Sequence, residues 1–202
     1  AAAGAAGGVV VGGGGEGAAD HRLSTSASAL ATAAGGEAMA NGASVSDEAA
    51  VEKMVAVVKE RWGRIDILIN NAGILRDKSF IKAELDDFRK VIDVHLMGSV
   101  ICSKAVWPHM VEQNYGRILM TTSASGIYGN FGQANYGAAK SGVVGLMNVL
   151  AIEGERKGIR VNSLAPTAAT RMTEDLLDEK TLALLAPESI SPGALFMVSD
   201  DA

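Results

Sequence analysis

The chain has 202 residues, 48% of them hydrophobic and 20% charged, which is enough to bury the core of one globular domain spanning residues 1–202. Its formal net charge of −5 argues against nucleic acid as a default partner. There is no run of about 18 apolar residues to cross a membrane and no basic segment leading into a long apolar one, and the single cysteine, Cys102, excludes an internal disulfide and reads as a small core residue, so an intracellular protein is expected.

In chain order, the first 45 residues are compositionally abnormal, since 26 of them are Gly or Ala. A flexible low-complexity arm is one reading. Against it, Val9, Val10 and Val11 read as a strand, and residues 30–40 read as a helix end, a Gly35-Gly36 turn and a short strand. The glycines at 12–15 do not read as a phosphate cradle, because such a loop leads from a strand into a helix whose N–H groups meet the anion, and the Ser- and Ala-rich stretch that follows gives no such start.

From residue 46 the pattern is regular. Ser46, Asp47 and Glu48 open a helix that runs through Val51, Met54, Val55 and Val58 to Trp62 and stops at Gly63. An apolar run over 65–69 reads as a strand and ends in Asn70-Asn71-Ala72-Gly73. Residues 84–113 read as one long helix with His95 in its middle, and Arg117 opens a second buried strand that carries Ser123 to the edge of a sheet. Apolar positions at Val143, Val144, Leu146, Met147, Val149 and Leu150 predict a helix over 134–152, then a strand over 158–165 and a last helix over 191–199. Strands alternate with helices from about residue 37, which predicts an α/β fold with a doubly wound, Rossmann-like parallel sheet in three layers. His21 and His109 have no partners at ligand spacing, so no metal site is expected.

Tyr136 and Lys140 fall one helical turn apart, and Ser123 stands thirteen residues before the tyrosine. A free tyrosine titrates near pH ~10, and an adjacent ammonium favours its phenolate. Lowering that pKa by about 3 units takes about 4 kcal/mol, within reach of a close cation and a second positive charge in a partly dry cleft. The phenol then exchanges a proton with a substrate oxygen that the serine hydroxyl also binds. This is an acid/base site for interconverting alcohols and carbonyls.

Asn70-Asn71-Ala72-Gly73 after a strand, Ser123, Tyr136-x-x-x-Lys140 and a strand ending Val161-Asn-Ser-Leu-Ala-Pro166 resemble the short-chain dehydrogenase/reductase family over residues 37–200. The run from Asn71 to Phe80, the segment Val94-His95-Leu96-Met97-Gly98-Ser99 and the phrase SASGIYGNFGQANY are similar to its (3R)-hydroxyacyl-CoA dehydrogenase branch, found in the peroxisomal multifunctional β-oxidation enzyme and bacterial relatives. The resemblance implies Ser123, Tyr136 and Lys140 as the catalytic set, with Ser123 and Tyr136 on the substrate oxygen. It implies Ser44, Asn71, Ala72, Gly73, Tyr136, Lys140, Ala168, Ala169 and Thr170 against an NAD cofactor, with NADP left open. His95 stands where most of the family has an asparagine that helps hold a relay water, and both a relay role and a core histidine stay open. Arg171 reads as a surface arginine or a substrate-side cation. Residues 173–185 take the family's lid position, and a homodimer or homotetramer is implied, cytoplasmic or, in a eukaryote, peroxisomal.

The chain departs from the family at both ends. Its first strand, its Thr-Gly-x-x-x-Gly-x-Gly loop and its last strand are not found, which places Val9 to Val11 as the second strand. Residues 1–45 are therefore expected to be an incomplete or Ala/Gly-truncated form of that unit, with 1–8 standing for the helix after the lost loop; an intact mass equal to 20.7 kDa contradicts this. The expected reaction is hydride transfer between NAD(P) and the 3-hydroxy/3-oxo carbon of an acyl thioester, on CoA or, alternatively, on acyl carrier protein. A non-catalytic scaffold that has lost its phosphate loop is the expectation from another class.

Overall fold

The computed structural model describes residues 8–11, 36–167, 185 and 187–202. The first helix, α1 (Glu48–Trp62), starts one residue later than its sequence suggests: Asp47 is the cap, accepting the Ala50 N–H at 3.0 Å, and the Ser46 hydroxyl is engaged by Ser44 at 2.9 Å. Gly63 closes it in the left-handed region at φ 75°, which suits a residue without a Cβ. Its buried residues Val51, Met54, Val55 and Val58 recur at helical spacing and form one apolar stripe.

The predicted long helix is present as α2 (Leu85–Ile92) and α3 (Gly98–Gln113), joined by a π-helical turn at Asp93–Met97. That turn brings the adjacent Val94 and His95 into the interior together. Asn114 ends the run at φ 52°. Next come α4 (Ala124–Tyr128), α5 (Ala134–Gly154) and, near the end, α6 (Ser191–Met197).

Four parallel strands form the sheet in the order β1-β2-β3-β4: β1 (Gly8–Val11), β2 (Ile67–Asn70), β3 (Gly116–Thr121) and β4 (Ile159–Leu164). Their carboxyl ends are level, with Val11 opposite Asn70, Asn70 opposite Met120 and Thr121 opposite Leu164. Successive right-handed crossovers in one direction put α1, α3 and α5 on the same face. Ile118, Met120, Ile159 and Val161 point into that layer and join Val55, Val106, Met110 and Val143 in the main core. The alternate residues face α6: Asn162 Nδ2 donates to Met197 O at 3.1 Å, and Arg117 donates to Ser199 O at 3.1 Å and to Asp200 Oδ1 at 2.9 Å. The arrangement is a three-layer α/β sandwich of Rossmann type.

Two expectations are corrected here. No strand forms at residues 36–47, so the short strand after Gly36 is absent. Moreover, β1 pairs directly with β2, and in a doubly wound sheet the neighbour of the fourth strand is the first, so Val9 to Val11 take the first strand's place rather than the second's. The physical reason is the β2 edge, whose backbone groups need partners that a β-branched run supplies. The glycines at 12–15 and the lid at 173–184 lie outside the described residues.

Candidate active site

The site is assembled at the carboxyl ends of β2, β3 and β4. Past Thr121 the chain turns under the edge of β4, with Thr122 N–H on Leu164 O at 2.8 Å. Ser123 therefore stands two residues beyond the strand rather than at its last position, in extended backbone (φ −159°, ψ 151°), and caps α4 by accepting the Ser125 N–H at 3.2 Å. Gly126 lets α4 lie against α5: a Cβ there would sit 2.8 Å from the Lys140 backbone carbon and the Ser141 nitrogen. This close approach brings Ser123 to Tyr136.

Tyr136 and Lys140 are one turn apart on α5. The Ser123 hydroxyl lies near enough to the Tyr136 phenol to act on its acidity, favouring the ionised form. Lys140 is 4% exposed; its Nζ donates to Thr121 O at 2.5 Å and lies 5.6 Å from the centre of the Tyr136 ring, while its own carbonyl accepts the Thr122 hydroxyl at 3.0 Å. Three residues from one short stretch of sequence, at the cap of α4 and on α5, thus come together.

The electrostatics differ from the sequence expectation of a phenol depressed by its lysine. Burial holds Tyr136 above its ordinary value, the nearby Ser123 hydroxyl opposes this, and the carboxylate of Asp77 adds to the rise. Burial also lowers Lys140 to about 8. The ammonium gives one N–H to a carbonyl and sits beside the ring rather than on the phenolic oxygen, so burial outweighs it. The resting phenol is neutral, hence an acid.

The loop after β2 forms the opposite wall. Asn71 Oδ1 accepts the Thr121 hydroxyl at 3.1 Å, and the buried Asn70 side chain donates to Ser103 Oγ at 3.1 Å. Gly73 packs on His95, where a Cβ would meet the imidazole Cε1 at 2.5 Å. His95 Nε2 lies 3.0 Å from Ile74 N and 2.8 Å from Ile74 O, and its ring stands edge-on to Tyr136 with centroids 5.1 Å apart. Its Nδ1 is buried with no hydrogen-bond partner, and burial, with the Lys140 charge, lowers the imidazole to about 4. His95 therefore belongs to this wall, and its sequence signal was a histidine between Val94 and Leu96 on an otherwise apolar stretch.

Not every expected residue joins the cluster. Ser44 sits exposed in the turn before α1, accepting the Asp47 N–H at 3.1 Å, and its hydrogen bonds run to that turn. Ala168, Ala169, Thr170 and Arg171 lie outside the described residues. Asp77, Gln133 and Asn135, which sequence reasoning passed over, form a polar network behind Tyr136. Among the described residues there is no group of three or more His, Cys, Asp or Glu able to hold a metal, and no helix is long and apolar enough to cross a membrane.

The carboxyl ends of the strands offer a place where a dinucleotide could be held. Ligands in such sheets bind outside the carboxyl ends of the strands, and here Asn71, Gly73, Tyr136 and Lys140 border that crevice. An ammonium has three donors, and Lys140 commits one to Thr121 O.

Residues 15–181 match the family described as short chain dehydrogenase. The chain is 53% identical over 163 residues to the peroxisomal multifunctional enzyme type 2 of Mus musculus, covering 81% of this chain and 22% of that protein. It is 41% identical over 175 residues to a 3-oxoacyl-(acyl-carrier-protein) reductase of Synechocystis, covering 83% of this chain and 71% of the reductase. The full-length structure of peroxisomal multifunctional enzyme type 2 from Drosophila melanogaster superposes with a TM-score of 0.76 at 39% identity, over 96% of this chain and 31% of that one. The chain thus spans a third or less of the multifunctional relatives it matches here.

Proposed function

This chain belongs to the short-chain dehydrogenase family, and from that premise we propose that it oxidises a (3R)-3-hydroxyacyl-CoA to the 3-oxoacyl-CoA, or reduces the latter, with NAD as hydride carrier. The observation that carries the reading is the buried Lys140 one turn along α5 from Tyr136, its Nζ 5.6 Å from the ring centre, with Ser123 beside the phenol. A bound nicotinamide supplies the hydride donor or acceptor.

The residues do the remaining work. Ser123 Oγ donates to the substrate oxygen and holds it in reach of Tyr136 Oη. In reduction, Tyr136 gives its phenolic proton to that oxygen as negative charge develops, which suits the neutral phenol this environment favours. In oxidation the phenolate receives the hydroxyl proton, so Tyr136 must ionise first. Lys140 stabilises the phenolate electrostatically and keeps donors for the ribose hydroxyls; Asn71, Ala72 and Gly73 give the nicotinamide ribose a wall. The same role beyond the described residues goes to Ala168, Ala169 and Thr170, and Ser44 is the adenine-side candidate. NADP remains an alternative carrier, and pairing of the long helices into a homodimer or homotetramer is the proposed assembly.

The substrate class is supported by the likeness to multifunctional β-oxidation enzymes, which also supports a peroxisomal setting in a eukaryote. The Synechocystis relative favours a second reading, reduction of 3-oxoacyl groups on acyl carrier protein with NADPH. Reduced-nicotinamide absorbance separates them. A rise with NAD⁺ and the (3R) thioester but not the (3S) isomer supports the first reading; no rise with either, beside oxidation of NADPH by a 3-oxoacyl carrier protein, supports the second.

A further inference from the structure

Residues 74–78 leave the Asn71 loop and run along the start of α5, tied to it at three points. Lys78 N–H donates to Gly132 O at 2.9 Å, Gln133 Nε2 to Asp77 Oδ2 at 2.7 Å, and Asn135 Nδ2 to Arg76 O at 3.0 Å. Asn135 Oδ1 in turn accepts the Tyr136 N–H at 2.7 Å. Gln133 is 8% exposed and uses both ends of its amide: besides donating to Asp77, its Oε1 accepts from Ser125 Oγ at 2.8 Å and from Asn130 Nδ2 at 3.1 Å. Ser125 lies in the first turn of α4, whose cap is Ser123, and Gln133 is itself the N-cap of α5, three residues before Tyr136. A single buried side chain therefore links the segment beyond the cofactor wall, the helix that starts at Ser123 and the helix that carries Tyr136.

We propose that Gln133 is a positioning residue for the Ser123–Tyr136 pair, fixing their separation by bridging α4 to Asp77. The proposal rests on the functional reading above. A glutamine suits this place because it is at once a donor toward a carboxylate and an acceptor for a hydroxyl and an amide. The isosteric Gln133→Glu would set two carboxylates against each other at the 2.7 Å contact and force them apart. The reciprocal pair, Gln133→Glu with Asp77→Asn, restores every hydrogen bond, with the donor reversed only in the bond to position 77: the amide introduced there, the Ser125 hydroxyl and the Asn130 amide all donate to the new carboxylate, and the net charge is that of the parent. Among the described residues, three titratable groups face Tyr136: Asp77 from this segment, His95 from the π turn and Lys140 from its own helix.

The test compares the parent, Gln133→Glu and the double variant by steady-state kinetics, NADH binding, thermal midpoint and the phenolate absorbance of Tyr136, the last read as the difference from the same protein carrying Tyr136→Phe. Gln133→Glu is expected to lower kcat about tenfold or more, because an error of about 1 Å in a catalytic pair costs about that or worse, with NADH affinity unchanged and Tyr136 ionising at higher pH. The double variant is expected to recover kcat to within about threefold of the parent and to return the Tyr136 titration. A Gln133→Glu protein with parental kcat and titration overturns the proposal. So does a double variant no better than the single, or a loss of kcat that only follows the thermal midpoint. If the parent transfers no hydride, the functional reading fails instead, and the phenolate titration, which needs no substrate, still decides whether Gln133 sets the surroundings of Tyr136.

Discussion

At the scale of single residues, the site sets burial against charge. Lys140 is held at about 8 by burial, against an ordinary value of 10.5, so keeping its ammonium buried costs about 3 kcal/mol at neutral pH. Native Lys140 binds fewer protons than the unfolded chain between about pH 8 and 10.5, so its share of stability rises as pH climbs through that window. Lys140→Met should therefore raise stability at pH 7 by about 2 kcal/mol, after about 1 kcal/mol for the lost bond to Thr121, while lowering kcat sharply; urea unfolding and steady-state kinetics check the two halves. Tyr136→Phe should lower kcat about 10³-fold with cofactor affinity retained. Because burial raises the Tyr136 phenol, the rate of alcohol oxidation should rise with pH from neutrality, as the phenolate fraction grows, whereas carbonyl reduction, which uses the phenol, should not. Parallel pH profiles in the two directions would contradict that assignment.

At the scale of elements, the juxtaposition of α4 and α5 decides whether the serine and the tyrosine meet. Gly126→Ala would drive a Cβ to 2.8 Å from the Lys140 backbone, where no flexible side chain can yield, so α4 must move off α5. The expected result is a loss of about 1–3 kcal/mol in stability and a fall in kcat larger than the stability loss explains, measured by thermal unfolding and kinetics at a temperature where the variant is folded. Much of this element structure was legible: the stripe Val51-Met54-Val55-Val58 and the apolar runs before Asn70 and Ser123 marked their helix and strands because each buries one periodic face. What was not legible depended on the partner rather than on the run itself. Val9 to Val11 read as a strand, but its neighbour is chosen by which sheet edge is open. The π turn at Asp93–Met97 leaves no mark in periodicity, and its effect, a His95 edge-on to Tyr136, appears only when the loop after β2 is in place. Likewise spacing alone marked Ser123, Tyr136 and Lys140, while Gln133 and Asp77, 56 residues apart, become partners only through the fold.

At the scale of the whole molecule, the neutral His95 links the site to the stability of the domain. Its ring is 3% exposed and held at about 4, against 6.5 when unfolded, so below about pH 6.5 the unfolded chain takes up a proton that the native chain refuses. Stability contributed by this group is present above that pH and falls by about 3 kcal/mol as the pH drops to about 4. Denaturant midpoints across this range should show the fall, and His95→Asn should flatten it. The sheet, its helices and the loop after β2 together bring the Tyr136 phenol, the Ser123 hydroxyl and the buried Lys140 to the level ends of three strands, and the functional claim is that this constellation binds a substrate oxygen, exchanges its proton and lets hydride move on and off the carbon bearing it. The most direct test is to incubate the protein with NAD⁺ and a (3R)-3-hydroxyacyl-CoA deuterated at C3 and weigh the recovered cofactor by mass spectrometry. Deuterium in the reduced nicotinamide, lost with Tyr136→Phe, is the predicted result; an unlabelled cofactor with both NAD⁺ and NADP⁺ would contradict the account.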